Sequence, residues 1–563
     1  MEYRGYDSAG IATLSGNRIL VKKQTGKVDD VNRAIHLDTL PGDVGVGHTR
    51  WATHGQVTDA NAHPQLSSSG RVAVVHNGII DNYLELRKRL TGDGSTFKSE
   101  TDTEVIANLL EWNYYRTGSA GQAIVQTVQE LKGSYAFIAL FVDGTLAVAR
   151  FHEPLAIGIS KHGYFVASDV LGFLESTDKA IYLDNGDLAI IGVNGLFLGN
   201  FDMKPARHQI TKISVEIEEV EKGEYAHHTL KEIFEQPATI LRVGAKTAIE
   251  MEDALELIRH AKKAYVTGSG TSFHAALVAK YLFSRHTRID IEPIIASEAL
   301  FSPNRLGPGA VLIAISQSGE SADVLQAASL AKGRGADVIS IANVMTSSLV
   351  RMSSITLGLN CGPEVGIAAT KSFSSQLALL YEMADRLGRG SVGFDLNETS
   401  KQMLKVLLQH PKIEAVAKEI SSVSNMYILG RGIHYHIAAE AALKLKELAY
   451  IHAEAFPGGE LKHGPLALVD SAYQVIVINP EDSTYIDTLT SAIEAKARGA
   501  KIIGISDRPN EIYDRWVELP RVHQNLYPFV ELMQLHLLSY YLALEKQADP
   551  DHPRNLAKSV TVK

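Results

Sequence analysis

Val311-Leu312-Ile313-Ala314-Ile315-Ser316-Gln317-Ser318-Gly319-Glu320-Ser321 is the run that decides how this chain is read. Its apolar, β-prone opening predicts a buried strand, and the Ala- and Leu-rich stretch from Ala322 to Lys332 predicts a helix. A strand that ends in a hydroxyl-rich loop at a helix start aims backbone N–H groups and the positive helix end into that loop. Three serines add donors and Gly319 admits a close backbone approach, so a phosphate monoester fits without a lysine. An ordinary N-cap with spare serines is the competing reading. A second segment favours the cradle: Tyr265-Val266-Thr267-Gly268-Ser269-Gly270-Thr271-Ser272 is again a short strand running into Gly, Ser and Thr, ahead of a helical Phe273 to Phe283.

From about residue 240 onward the chain alternates strands and helices, and it repeats. Ala264-Tyr265-Val266-Thr267-Gly268-Ser269-Gly270 matches Met426-Tyr427-Ile428-Leu429-Gly430-Arg431-Gly432, and Lys332-Gly333-Arg334-Gly335-Ala336-Asp337-Val338-Ile339 matches Lys496-Ala497-Arg498-Gly499-Ala500-Lys501-Ile502-Ile503. The offsets are 162 (264 to 426) and 164 (332 to 496), so the register holds across the unit. Each copy reads as a parallel sheet with helices on both faces. The copies differ where chemistry would sit. The serine loop has become Ile478-Asn479-Pro480-Glu481-Asp482-Ser483-Thr484, whose proline and two acids would repel a phosphate.

The second copy offers acid–base chemistry instead. Ile437 to Ala449 predicts an amphipathic helix with Ala438, Ala441, Ala442, Leu445, Leu448 and Ala449 as its core stripe. Opposite them stand Glu440, Lys444 and Glu447. A solvated face with a helical salt bridge is the plain reading of those charges. Proton transfer at a sugar carbon is the other, favoured by the Glu, Lys and His residues of Tyr450 to Phe456 and Gly458 to Pro465. The polar tail from Asp549 to Lys563 reads either as frayed or as folded over a site with Lys558 as its amine.

Residues 1 to about 220 carry short β-rich runs with two helical stretches, near Asn82 to Leu90 and Asp102 to Tyr115, the pattern of stacked antiparallel sheets flanked by helices. An acidic linker follows from Ser214 to Glu224, then a helix from Thr229 to Gln236. With 563 residues, two to four domains are expected. The net charge of −9 and the lack of a long basic run exclude a nucleic-acid binder. No run of 18 apolar residues and no signal peptide appear, which predicts neither membrane span nor export. Cys361 is the only cysteine, so no intrachain disulfide or cysteine metal cluster forms, as suits a reducing cytoplasm.

Taken together, Ser316 to Ser321, Lys444-Leu445-Lys446-Glu447, Glu460-Leu461-Lys462-His463-Gly464-Pro465 and the tail Pro553 to Val562 closely resemble the glucosamine-6-phosphate synthase family, the isomerising glutamine–fructose-6-phosphate aminotransferases. The front half agrees through Tyr3-Arg4-Gly5-Tyr6-Asp7-Ser8, His48 to Gly55, His76-Asn77-Gly78-Ile79 and Ser99 to Glu104. The resemblance implies an α/β chain: a glutaminase sandwich of the N-terminal-nucleophile type at 1–220, a linker at 221–245, sugar isomerase (SIS) domains at 246–395 and 396–547, and a catalytic tail at 548–563. It implies that Gly270, Thr271, Ser272, Ser316, Gln317, Ser318 and Ser321 hold the sugar phosphate, with Ile367 and Ala368 lining the sugar site. Lys558 would form the imine, Glu447 would move the proton between C1 and C2 with Lys444 assisting, and His463 would open the ring from the second subunit of a homodimer. Ala369 departs from the family, where a serine is common. For glutamine the resemblance implies Arg50 on the α-carboxylate, Asp102 on the α-amine, Thr53, His54 and Gly55 in the pocket, Asn77 and Gly78 in the oxyanion hole, and Trp51 at the ammonia passage. It implies no cofactor and no metal.

That glutaminase fold uses an N-terminal cysteine as nucleophile, within a Met-Cys-Gly opening that this chain, beginning Met1-Glu2-Tyr3, lacks. Either Met1 is an internal methionine of a longer gene, the favoured reading, or the chain has no glutaminase activity and uses free ammonia or only isomerises. As written it is expected to release no glutamate from glutamine, and its front domain to melt before the isomerase half. A sugar-phosphate-binding regulator is the alternative from another class. It requires the serine loops but not Glu447, His463 and Lys558. An amidotransferase acting on phosphoribosyl pyrophosphate is disfavoured by the duplicated isomerase half.

Overall fold

Alternation of side chains along the strands of the front half builds its layers. A computed structural model describes residues 5–52, 54–213, 221–243 and 248–560. The chain divides into two compact units, residues 1–217 with 559–563, and residues 218–558. In the first, a six-stranded antiparallel sheet is ordered Gly195–Asn200, Asp187–Gly192, Leu146–Phe151, Gly133–Phe141, Val72–Ile80, Gln65–Leu66. Val72 and Val74 point to one face, where Ile106, Leu109, Leu110 and Ile124 of two helices cover them. Ala73 and Val75 point to the other, onto Ala12 and Val46 of a three-stranded sheet. This period of two is what a strand buried on both faces requires. A four-stranded sheet around Ala156–Ser160 covers the remainder of that face through Ile157 and Ile181. The helices expected near Asn82 and Asp102 are Tyr83–Gly92 and Thr103–Thr117. Residues 214–220 of the acidic linker lie outside the described residues.

The second unit holds two five-stranded parallel sheets of the same order. The first runs Ile291–Ile295, Lys263–Gly268, Ala310–Ser316, Asp337–Ala342, Ile355–Gly358, and the second runs His452–Pro457, Asn425–Gly430, Gln474–Ile478, Lys501–Ser506, Arg515–Glu518. Register repeats with the order: Tyr265 pairs with Leu312 as Tyr427 pairs with Val475. In such sheets ligands sit beyond the carboxyl ends of the strands where the order reverses. Both serine- and glycine-bearing loops leave adjacent strands at that end.

One core is shared by the two copies. Ala275, Ala279 and Phe283 of helix Thr271–His286 join Ile437, Ala441 and Leu445 of helix Ile433–Ala449. Helix Tyr527–Glu545 is apolar almost all round and buried from Tyr527 to Ala543. The predicted helix Ile437 to Ala449 begins a turn earlier, and its charged side is not a solvated face. Glu440 and Lys444 are fully buried, because the helix packs against the first copy on that side.

Candidate active site

The two loops of the first copy form a cradle. Gly270 takes φ 53° and ψ −123°, a conformation favouring glycine, and turns the chain into helix Thr271–His286. Gly319 has φ 66°, and a Cβ there would lie 2.0 Å from Ser347 Oγ, so only glycine fits. Its N–H donates to Ser316 Oγ at 3.0 Å, the Glu320 N–H donates to Ser318 Oγ at 3.2 Å, and Ser316 Oγ lies 3.2 Å from Ser321 Oγ. Gln317 and Ser318 are half-buried, and Gln376 Nε2 donates to Ser272 Oγ at 3.2 Å. Glu320 turns away from the loop, and its Oε1 accepts the Ser348 N–H at 2.7 Å. The loop therefore presents hydroxyls without a facing carboxylate of its own.

Beside it lies a buried charged group drawn from three places in the sequence. Lys444 Nζ is 2.5 Å from Glu447 Oε2 and 3.4 Å from Glu440 Oε1. Burial pushes the Lys444 amine down, but Glu447 and Glu440 outweigh it and hold the pKa above the usual lysine value. The tail amine, Lys558 Nζ, donates to Glu364 Oε2 at 2.7 Å and to the Gly366 carbonyl at 2.6 Å. Burial alone would raise Glu364. The Lys558 ammonium and the Thr370 and Ser372 N–H groups reverse this and bring its pKa to about 2. Glu364 also acts electrostatically on Lys444, so Lys558 and the Lys444–Glu447 pair share one field.

The tail is seated, not frayed. Asp551 accepts the His228 and Thr229 N–H groups at 2.8 Å each, at the start of helix His228–Ile240. The Arg554 N–H donates to Tyr450 Oη at 2.8 Å, and its guanidinium lies 4.2 Å from the Tyr450 ring centroid. One turn into the same helix, Glu232 Oε1 accepts the Val365 and Gly366 N–H groups at 2.6 and 3.1 Å. Burial raises the Glu232 carboxyl to about 7. Ile367 and Ala368 follow in that loop, both buried, and Ala368 packs on Leu448 and Ala543. Ala369 is half-buried beside them. His463 stands outside this group, exposed at the end of the turn Gly458–His463.

In the front unit Arg50 ends the strand Val44–Arg50 and is buried, donating to the His54 carbonyl and, at 3.4 Å, to that of Gln56. Burial lowers its pKa, while Asp7 and Asp102 work against that fall. Asp102, also buried, accepts the Ile80 N–H at 2.9 Å. Asn77 Oδ1 is 3.0 Å from His48 Nε2, which holds the amide, and burial brings His48 to about 4, so it is neutral near pH 7. Gly78 has φ 117°, and a Cβ there would lie 2.0 Å from the Ser134 carbonyl oxygen. Trp51 and His54 are half-buried, Gly55 is exposed with φ 77°, and Thr53 lies outside the described residues. Cys361 is buried in the other unit, its Sγ 3.1 Å from Asn343 Oδ1, and burial raises its thiol far above neutrality. It is no nucleophile.

Comparison with known proteins joins these two units. A glutamine amidotransferase domain family matches residues 30–234, and the SIS domain family matches 257–385 and 419–546. Glutamine–fructose-6-phosphate aminotransferases (isomerizing) of Pyrococcus horikoshii and Methanothermobacter thermautotrophicus are 42% and 41% identical, each covering 100% of this chain and 96% of the relative. The chain belongs to that family. Among solved structures, the C-terminal domain of glucosamine-fructose-6-phosphate aminotransferase from Francisella tularensis matches with 35% identity and TM-score 0.55, covering 59% of this chain and 99% of that one. Tagatose-6-phosphate ketose/aldose isomerase from Escherichia coli, at 21% identity and TM-score 0.52 over 59% of this chain and 96% of its own, shares the fold.

As a glutamine–fructose-6-phosphate aminotransferase family member, the chain has a glutaminase sandwich followed by two SIS domains. Glu364, Glu232 and His274 carry no signal in the sequence, whereas Glu440 stands out there only as one of three helix charges. Glu364 adjoins Gly362 and Pro363 as an unremarkable loop acid, and nothing local pairs it with a lysine 194 positions away. Glu440 looked like a surface charge until the first copy covered it.

Proposed function

We propose that this chain forms glucosamine 6-phosphate from fructose 6-phosphate, with ammonia drawn from glutamine by the front domain. The observation that carries this reading is the seating of the Lys558 amine against Glu364 and Gly366, in the unit that also contains the serine cradle and the Lys444–Glu447 pair. The proposed domains are 1–220, 221–245, 246–395, 396–547 and 548–563. The phosphate lies among Gly270, Thr271, Ser272, Ser316, Gln317, Ser318 and Ser321, with the sugar along Ile367 and Ala368. His463 of a second copy opens the ring, which fits its exposure. The open-chain ketone then meets Lys558, which must first give up a proton. Its nitrogen adds to C2 and water leaves to form the imine. Ammonia displaces the lysine. Glu447 takes a proton from C1 and returns it at C2, converting the ketose imine to the aldose amine. Lys444 beside it balances the charge that develops.

For the front domain, Arg50 grips the glutamine α-carboxylate as a fork, Asp102 takes the α-amine, and Asn77 with Gly78 donates to the oxyanion. Trp51, Thr53, His54 and Gly55 line that pocket and its exit. Among the described residues no helix is long and apolar enough to cross a membrane. The proposed setting is a cytoplasmic homodimer. The test is incubation of the full chain with fructose 6-phosphate and ammonium, with borohydride added to trap the imine. Glucosamine 6-phosphate in solution and a reduced sugar adduct on Lys558 are expected. Neither product, with substrate bound, overturns the reading.

A further inference from the structure

Glu440 joins the phosphate cradle to the acid–base pair. It lies fully buried on the helix that carries Lys444 and Glu447, yet two of its partners belong to the first copy. Oε1 accepts the Thr271 hydroxyl at 3.0 Å, and Oε2 is 2.7 Å from His274 Nδ1. Thr271 opens the helix behind Gly270, inside the cradle. On its other side Oε1 is 3.4 Å from Lys444 Nζ, which favours Glu447 at 2.5 Å. Lys444 is thus shared unequally between two carboxylates, one bonded to Thr271 of the cradle and one assigned the C1 proton in the function proposed above.

A threonine hydroxyl has one proton to donate. In this structure Thr271 gives it to Glu440. A phosphate dianion in the cradle competes for the same proton. A buried carboxylate that loses a donor must find another, because an unsatisfied buried acceptor is costly. The other donor beside Oε1 is the Lys444 ammonium, 3.4 Å away. Drawing Lys444 towards Glu440 lengthens its contact with Glu447 and frees that carboxylate to take the C1 proton.

We propose, resting on the function given above, that Glu440 is a positioning residue through which a phosphate bound at Thr271 switches Glu447 from a neutralised partner of Lys444 into a working base. Phosphate is then more than a handle: it turns on proton transfer at the other end of the sugar. Binding energy from a non-reacting part of a substrate is in this way used at the reacting carbon.

The test supplies the substrate in two pieces to the full-length chain. Exchange of the C1 proton of fructose with deuterated solvent is followed by NMR, with and without inorganic phosphite. Phosphite should accelerate exchange in the unaltered chain by about 5- to 150-fold, the usual range of coupling between two sites. Glu440→Gln keeps the shape and should abolish the acceleration, and with fructose 6-phosphate it should lower kcat with little change in the calorimetric Kd. Thr271→Val removes the proton without touching the buried charges and should also abolish the acceleration at phosphite concentrations that calorimetry shows to saturate the cradle, which keeps the test intact where Glu440→Gln fails to fold. Absence of acceleration in the unaltered chain, or an unchanged acceleration in a folded variant, overturns the inference. If the unaltered chain makes glucosamine 6-phosphate while a variant keeps its acceleration, only the coupling fails. If it makes none, the function fails with it.

Discussion

Two loops at equivalent places in the two sugar isomerase copies solve the same electrostatic problem in opposite ways. Each follows the third-in-order strand and faces a glycine turn of nearly identical geometry, Gly270 at φ 53°, ψ −123° and Gly432 at φ 55°, ψ −128°. In the first copy the loop offers serine hydroxyls and N–H groups and no inward charge. In the second, Asp482 turns inward, accepts the Thr484 N–H at 2.7 Å and lies 2.9 Å from His434 Nε2. His434 stands where the first copy has Ser272, and its Nδ1 is 2.7 Å from Glu531. Burial pushes this imidazole down, but Glu531 and Asp482 outweigh it and raise its pKa to about 10. The anion that the first copy would borrow from a substrate is built into the second as a side chain. A fold that positions N–H groups at a strand end therefore keeps a demand for negative charge even after it stops binding a ligand.

The proposed function puts the chemistry in the first cradle and at the tail lysine held by Glu364, and the contrast breaks most decisively at Lys558. Lys558→Ala should lower ammonia-dependent kcat by about 10⁴-fold or more, the scale on which loss of an essential nucleophile acts. Borohydride should then trap no sugar, and residual turnover near the unaltered rate would exclude the imine. Next in size is the built-in anion site. His434→Gln leaves Asp482 and Glu531 buried without their cation and should destabilise the chain by about 3–5 kcal/mol. Because the folded pKa is raised, this contribution is complete below about pH 6.5 and fades as pH rises through about 10. Melting temperature should fall over that window in the unaltered chain and stay flatter in His434→Gln, and parallel slopes would contradict the assignment.

Smaller effects sharpen the contrast. Ser316→Ala and Ser318→Ala should each weaken fructose 6-phosphate binding by about 1.5–3 kcal/mol, the range for a hydrogen bond to a charged group, and leave unphosphorylated fructose unaffected. Equal weakening of both sugars, measured by calorimetry, would put the phosphate elsewhere. The least effect is expected at Glu481, which stands where Ser318 does and pairs outward with Arg508 and Arg521 at 2.8 and 2.6 Å. Glu481→Ala should cost about 0–1 kcal/mol, as for an exposed ion pair. A change in sugar-phosphate affinity there would show that the second loop is not closed to ligand.

Short-range patterns carried most of what the sequence revealed. Strand, serine loop and helix are contiguous from Val311 to Lys332, and the repeat register needs only two aligned segments. Side by side in sequence, the two acids of the second loop both repel a phosphate, whereas folding separates them, Glu481 outward and Asp482 inward. That distinction depends on His434, 48 positions away, and on Glu531. The same limit hid Glu364 and the partners of Glu440 in the first copy. A charged residue on a helix face looks solvated until its neighbour is known, and here the neighbour is the other copy of the repeat.

The grip of the His228–Ile240 helix on Asp551 bears on how the enzyme is made. Contacts at 2.8 Å tie residues 228 and 229 to a residue more than 320 positions later, and Glu232 on the same helix holds the loop that receives Lys558. Synthesis adds about 5–20 residues per second, so both sheets are translated well before the tail exists. A nascent chain can therefore bring its serine and glycine loops together while still lacking Lys558. If Lys558 is the amine of the proposed reaction, the order of translation withholds that step from an unfinished chain, and a single cut between Gln547 and Lys558 would withdraw it from a finished molecule.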